Sequence, residues 1–221
     1  MANIVKILAI KDITHDVKSF RVEKPAGYAF TPGQATEVSV NKKGMEEEKR
    51  PFTFTSLNED PFLEFTIKRY SNHNGVTKLL HKLHPGDELI IEDVWGAIEY
   101  KGPGYFIAGG AGITPFLSII RQLHKTNEAT KNTLIFSNKT AADIICEDEL
   151  KRIMGDKFLN VLTKEHHTFY RYGYIDEGFI KENISDFSKH FYICGPDPMI
   201  ASISEILEKM GADTDAVVFE K

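Results

Sequence analysis

Phe106-Ile-Ala-Gly-Gly-Ala-Gly-Ile-Thr-Pro-Phe116 decides how this chain reads. Tyr105–Ala108 has the apolar run of a buried strand, and Gly109, Gly110 and Gly112 make a tight turn. Thr114 and Pro115 are the residue types of a helix N-cap and its first helical position. Glycines let the backbone approach a ligand closely, and the unpaired N–H groups of a helix start favour a pyrophosphate. Gly110, Ala111, Gly112, Ile113 and Thr114 are therefore candidate phosphate-binding residues; the alternative is a tight strand-to-helix turn that binds nothing. The pattern is G-x-G-x-x-P, without the third glycine of the usual dinucleotide fingerprint. The next strand, Asn132–Ser137, ends at Ser137-Asn-Lys139 without the carboxylate that grips a ribose 2′-hydroxyl. Ser137 and Lys139 stand where a 2′-phosphate can be met, and equally where polar residues simply end a strand.

Working outward, helices are predicted to about Lys125, over Ala142–Met154, near Glu177–Lys181 and over Pro198–Met210. Further strands are predicted at Phe158–Thr163, Phe191–Cys194 and Ala216–Phe219. Strands alternating with helices imply a parallel sheet covered on both faces, so residues 102–221 form an α/β domain. Cys194-Gly-Pro-Asp-Pro-Met199 follows an apolar strand, with Asp197 and Pro198 suited to cap and open the last helix. Ligands of parallel sheets bind beyond the strands' C-terminal edge, which marks Cys194, Gly195 and Pro196 as candidates. Cys194 reads equally as a small buried hydrophobe.

Residues 1–101 have a different rhythm. Six short strands are predicted at Ala2–Lys11, Val17–Glu23, Gln34–Val40, Pro51–Thr55, Phe62–Tyr70 and Glu88–Val94, with one helix at Val76–Leu83. Their spacing and turn signals predict a closed antiparallel β-barrel, a domain of its own. Within it, Arg50-Pro-Phe-Thr-Phe-Thr-Ser56 sets an aromatic beside an arginine. Such a pair can stack on a flavin while the guanidinium meets phosphate, although Phe52 and Phe54 at period two also suit a barrel core. Asn74-Gly75-Val76-Thr77 opens the helix and offers a second phosphate site.

Composition narrows the classes. The chain has 221 residues, 42% hydrophobic and 27% charged, which implies a packed core. With 27 Lys and Arg against 32 Asp and Glu, a net charge of −5 argues against nucleic-acid binding. Two cysteines, Cys146 and Cys194, exclude a disulfide framework, a four-cysteine iron–sulfur cluster and a tetrahedral zinc knuckle within the chain. Gly102–Ile120 carries no charge over 19 residues, but five glycines and two prolines suit a strand, turn and helix start rather than a membrane span. Lys6, Lys11 and Asp12 interrupt the apolar N-terminus, so no signal peptide is read and a cytoplasmic location is expected. His166-His167 reads as a solvated loop pair, because neighbours on a strand face opposite ways and make poor joint metal ligands. Lys68, Arg69, Lys78 and Lys82 are candidates for a basic patch, or for ordinary solvated side chains.

The order of motifs resembles the ferredoxin–NADP reductase superfamily, nearest its short bacterial flavodoxin or ferredoxin reductase-like members. The likeness rests on Pro32-Gly33-Gln34, Arg50–Thr53, Thr66-Ile67-Lys68, Gly75–Thr77, Gly109–Pro115 and Cys194–Met199, spread over the whole chain. It implies an NAD(P)H-dependent flavoprotein reductase that passes a hydride to bound FAD and then electrons to a protein such as flavodoxin or ferredoxin. Arg50, with Pro51 beside it, would bind flavin phosphate; Phe52 would pack on the flavin, and Thr53 would lie near its reactive nitrogen. Thr66, Ile67 and Lys68 would line the ring, and Asn74, Gly75, Val76 and Thr77 would cradle pyrophosphate. Gly110–Thr114 would hold the nicotinamide cofactor, with Thr53 and Cys194 positioning and polarising the reactants. Three departures stand out: Phe52 replaces the usual tyrosine, Asn74 a frequent glycine, and Val218-Phe-Glu-Lys221 a terminal tyrosine. Phe219 shields the flavin or belongs to the core of the last strand. NADH and NADPH, and FMN beside FAD, stay open. The other readings are a reductase of free flavin and an electron-relay subunit of a larger complex.

Overall fold

Val5, Ile7, Phe20, Val22, Leu63, Phe65 and Ile67 alternate along their strands, and all are buried in one core. That period of two is the physical reason the N-terminal half folds as a sheet with one apolar face. Residues 2–70, 76–96 and 98–213 are described in full in the computed structural model, and 217–219 by their backbone. The chain divides into two compact units, Met1–Ala97 and Ile98–Lys221.

In the first unit, β1 (Asn3–Thr14), β2 (Val17–Glu23), β3 (Gln34–Val40), β4 (Arg50–Thr53) and β5 (Phe62–Lys68) precede helix α1 (Val76–Leu80). Strands β6 (Glu88–Ile91) and β7 (Trp95–Gly96) follow it. The sheet order is β4-β3-β6-β1-β2-β5 with β7 beside β3, and every pairing is antiparallel. Just past β4, Phe54 bridges Phe65 of β5, and Thr55 N–H donates to Glu64 O at 2.8 Å. α1 is shorter than the expected Val76–Leu83. Lys82 and Leu83 already bond three residues back, and the chain must leave helical geometry before Pro85. The expected strand Glu88–Val94 stops at Ile91, and Trp95–Gly96 forms a separate pairing with β3 that no periodicity announced.

In the second unit the strands are β8 (Gly104–Gly109), β9 (Thr133–Asn138), β10 (Phe158–Leu162), β11 (Arg171–Tyr172), β12 (His190–Cys194) and β13 (Val217–Phe219). Its helices are α2 (Thr114–Lys125), α3 (Glu147–Met154), α4 (Glu177–Asn183) and α5 (Asp197–Lys209). All six strands are parallel, in the order β11-β10-β9-β8-β12-β13. Tyr105, Ile107, Ile135, Phe191 and Ile193 pack one sheet face against Phe179 and Ile180 of α4 and Ile203 and Leu207 of α5. The opposite face meets α2, where Phe106 and Phe116 lie 5.1 Å apart between ring centres. Arg121 of α2 ties α3 down through both oxygens of Glu149, at 2.7 and 2.8 Å.

The expected helix Ala142–Met154 is broken. Thr140 and Asp143 form a reciprocal capping box around a single 3-10 turn, Ala141–Asp143, after which Ile144 is extended. Cys146 then takes a left-handed conformation (φ 53°) before α3 begins.

Candidate functional site

Sequence order reverses between β8 and β12, so the ends of these two strands are the topological switch point of the parallel sheet. Gly109–Gly112 leaves β8 there, and Cys194–Pro196 leaves β12 there, with Ala108 paired to Cys194. Gly110 turns the chain at φ +53°, and a Cβ on it would meet nothing within 4 Å. Gly112 is placed by packing: a Cβ would lie 2.3 Å from the Cys194 carbonyl oxygen. The two turns therefore interlock main chain against main chain, which only glycine allows. Cys194 is buried and Gly195 half-buried, while Pro196 is exposed.

Two capping expectations are corrected here. Gly110–Ile113 already winds as a 3-10 turn continuous with α2, so Thr114 is the first α-helical residue (φ −60°, ψ −43°) rather than its cap. Its N–H is used by Ala111 O, and the unpaired donors of the helix start lie earlier, in the glycine turn. Likewise Pro196, extended at ψ 139°, caps α5, and Asp197 is inside the helix.

At the end of β9, Ser137 is half-buried and Lys139 exposed. Between them sits a residue the sequence reading passed over. Asn138 is 5% exposed, and neither its amide nitrogen nor its amide oxygen has a hydrogen-bond partner. An unpaired buried amide costs about 1–3 kcal/mol. Asn138→Leu is therefore expected to raise thermal stability by ~1 kcal/mol. If the amide serves a nucleotide, the same change weakens NADH or NADPH binding about tenfold, readable by titration calorimetry.

In the first unit, β4 pairs with β3 through Ala35–Thr53 and Val38–Arg50. Arg50 is exposed, with its guanidinium donating to Lys49 O at 2.6 Å, and Pro51 is exposed beside it. Phe52 is half-buried against the core, whereas Thr53 points to the opposite face of the strand. Thr53 is 6% exposed and its hydroxyl has no partner. On β5, Thr66 and Ile67 are buried, and Ile67 belongs to the core. Lys68 does not stand free for a basic patch: its ammonium lies 3.0 Å from Asp16. Burial pushes the Asp16 carboxyl up, but Lys68 and the Thr14 hydroxyl outweigh it and hold the group below its usual value. Val76 is a core residue and Thr77 half-buried on α1. Asn74, Gly75 and the side chain of Phe219 lie outside the described residues.

His81, just past α1, is bonded through Nε2 to the Ile67 carbonyl at 2.8 Å. A carbonyl only accepts, so Nε2 carries the proton. Burial holds this imidazole below the ordinary histidine value of 6.5. The unfolded chain then binds more protons below that value, so the contribution is complete above pH 6.5 and lost as pH falls through the folded-state value. The acid limb of a stability-against-pH curve below 6.5 is expected to flatten in His81→Gln, measured by urea unfolding.

Residues 5–100 match the family of oxidoreductase FAD-binding domains, and residues 106–205 that of oxidoreductase NAD-binding domains. NADH-cytochrome b5 reductase 1 of Aspergillus terreus is 30% identical over 90% of this chain and 75% of its own. The chain belongs to the ferredoxin–NADP reductase-like superfamily.

This superfamily member carries an antiparallel sheet in the region that matches oxidoreductase FAD-binding domains and a parallel sheet in the region that matches oxidoreductase NAD-binding domains. The reductase component of propane 2-monooxygenase from Rhodococcus jostii is 28% identical over 98% of the chain, which spans only 62% of that relative's length. A ferredoxin NADP+ reductase from Neisseria gonorrhoeae, solved with bound FAD and NADP, has the same fold, with a TM-score of 0.84 and 22% identity over 99% of this chain and 98% of its own. The residues present fit both groups: the buried Thr53 hydroxyl awaits a partner, and the Gly110 turn leaves its surface open. Among the described residues, no helix is long and apolar enough to cross a membrane. His166 and His167 do not act as a pair; they stack on different tyrosines, Tyr172 at 3.7 Å and Tyr170 at 4.4 Å between ring centres.

Proposed function

We propose that this protein is an NAD(P)H-dependent FAD reductase that hands electrons to a protein acceptor, such as a flavodoxin, ferredoxin or cytochrome. The observation that carries the reading is the buried, unpartnered Thr53 hydroxyl on the strand that opens with Arg50, within the FAD-binding domain. Bound FAD supplies the hydride acceptor and releases the electrons singly.

The protein's own part is binding and orientation. Arg50 is exposed and pairs with flavin phosphate, assisted by Thr77 and the residues before it; Phe52 and Pro51 flank the same strand. Thr53 donates its hydroxyl proton toward the ring's reactive edge, and the backbone of Thr66–Lys68 lines it. The start of the Gly110–Ile113 turn holds the pyrophosphate of the nicotinamide cofactor through its first N–H groups, with Thr114, Ser137, Asn138 and Lys139 nearby in the fold. Cys194 and Gly195 close on the nicotinamide without covalent chemistry. The division of labour follows the two units, FAD in the first and nicotinamide in the second, with the boundary expected after residue 101 lying four residues beyond the division at Ala97. We also infer that the first sheet closes into a barrel; support comes from the Phe54–Phe65 bridge between its two end strands.

The test is an anaerobic titration of purified protein with NADH and with NADPH, following flavin absorbance. Bleaching at one equivalent of nucleotide is expected, with flavin retained through a desalting column. A colourless protein that cannot be reconstituted with FAD or FMN overturns the reading.

A further inference from the structure

Glu64 is a buried carboxylate, 6% exposed, on the same face of β5 as Thr66 and two residue pairs along from Thr53. The Phe54–Phe65 bridge sets Thr53 opposite Thr66 and Thr55 opposite Glu64, all turned away from the core that takes Phe54 and Phe65. Glu64 Oε2 accepts from Arg21 Nε at 3.0 Å, and Ser56 Oγ accepts from the Glu64 N–H at 2.9 Å. The Thr55 hydroxyl has two Glu64 oxygens in reach, Oε1 at 3.1 Å and the carbonyl at 3.2 Å.

Those contacts fix a direction. Both Glu64 oxygens are acceptors only, and Thr55 has a single hydroxyl proton, which must go to one or be shared between them. The contact of 3.2 Å between the Thr55 and Thr66 hydroxyls then needs the Thr66 proton. Thr66, 5% exposed, is left with lone pairs alone for anything else that touches it. The other charged groups facing this relay from neighbouring elements are Arg21 on β2, and Lys68 with its partner Asp16 beyond Thr66.

We propose that Glu64 is a positioning residue that, acting through Thr55, holds Thr66 as a pure acceptor and so keeps the reduced flavin ring protonated. The inference rests on the proposed function, in which the Thr53–Thr66 face takes the flavin. Two effects of Glu64 act with the same sign. A negative charge and an acceptor-only neighbour both favour a ring N–H over its ionised form. Glu64→Gln removes the charge and lets the amide donate to Thr55, which frees Thr66 to turn its proton outward.

The experiment measures the midpoint potential of the bound FAD against pH, with the absorbance of the reduced flavin recorded in parallel. The slope changes where the reduced ring ionises. Glu64→Gln is expected to raise that ionisation constant at least tenfold, and Thr55→Val, which cuts the relay but keeps the charge, about threefold. Arg21→Gln, which strips the compensating cation from an exposed position, moves the break in the opposite direction. A merely structural role would change thermal stability and leave the break in place. Coincident breaks in wild type, Thr55→Val and Arg21→Gln, each with FAD bound, overturn the relay even if Glu64→Gln fails to fold. Failure of wild type to hold any flavin instead overturns the functional reading beneath it.

Discussion

Gly112→Ala is expected to lower kcat/KM for NADH at least 100-fold while FAD stays bound, because the collision it creates lies in the NAD-binding unit. The new Cβ would lie 2.3 Å from the Cys194 carbonyl oxygen, 2.5 Å from its carbon and 2.7 Å from the Gly195 nitrogen. These are main-chain atoms at the end of a hydrogen-bonded strand and cannot rotate away. Either the glycine turn lifts or the end of β12 moves, and overpacking of this kind costs about 1–3 kcal/mol or more. A displacement of about 1 Å at a reacting centre is enough for a loss on the order of 10² in rate.

Gly110→Ala separates displacement from strain. A Cβ there meets nothing within 4 Å, but the backbone sits at φ +53°. A side chain in that region costs about 1–2 kcal/mol without pushing any neighbour. Similar losses of melting temperature in the two variants, with NADH kinetics weakened in both and most in Gly112→Ala, locate the nucleotide on the interlocked turn. Ordinary NADH kinetics in Gly112→Ala would falsify that placement.

Much of this arrangement is legible in the sequence. The parallel sheet follows from strand–helix alternation after residue 102, and the antiparallel sheet from period-two runs such as Phe62–Lys68. What is not legible is set by tertiary packing. Thr114-Pro115 and Asp197-Pro198 have the composition of cap and first turn, yet helical winding starts at Gly110 and Asp197 respectively. The reason is that β8 and β12 end against each other's turns, so chain direction is dictated before the capping residues are reached. Glu64 and Asn138 escaped notice for a related reason. A polar residue at an alternate strand position reads as solvent-facing, and nothing local reveals that its face is covered. Both are known only by burial, 6% and 5% exposed, and by the partners they have or lack. The same holds for Lys68, which reads as a surface cation until Asp16 is found beside it.

Thr53→Val carries the most direct test of the flavin site, because it should move stability and rate in opposite senses. The Thr53 hydroxyl is buried and has no partner within the protein, so an isosteric methyl removes a desolvation penalty of about 1–3 kcal/mol. The apoprotein is therefore expected to melt higher, by roughly 4–8 °C per kcal/mol if the first unit unfolds on its own. On the proposed function bound FAD gives this hydroxyl a partner, so the gain should shrink or vanish in the loaded protein, and reduction by NADH should slow about tenfold for the loss of one hydrogen bond. Thr55→Val is the control, since that hydroxyl is already bonded to Glu64 and Thr66 and its loss should destabilise apo and loaded protein alike. Differential scanning calorimetry with and without FAD, paired with stopped-flow flavin bleaching, reads all of these quantities. If Thr53→Val lowers the melting temperature of the apoprotein and leaves the reduction rate untouched, Thr53 has a structural partner and the flavin's reactive edge lies elsewhere.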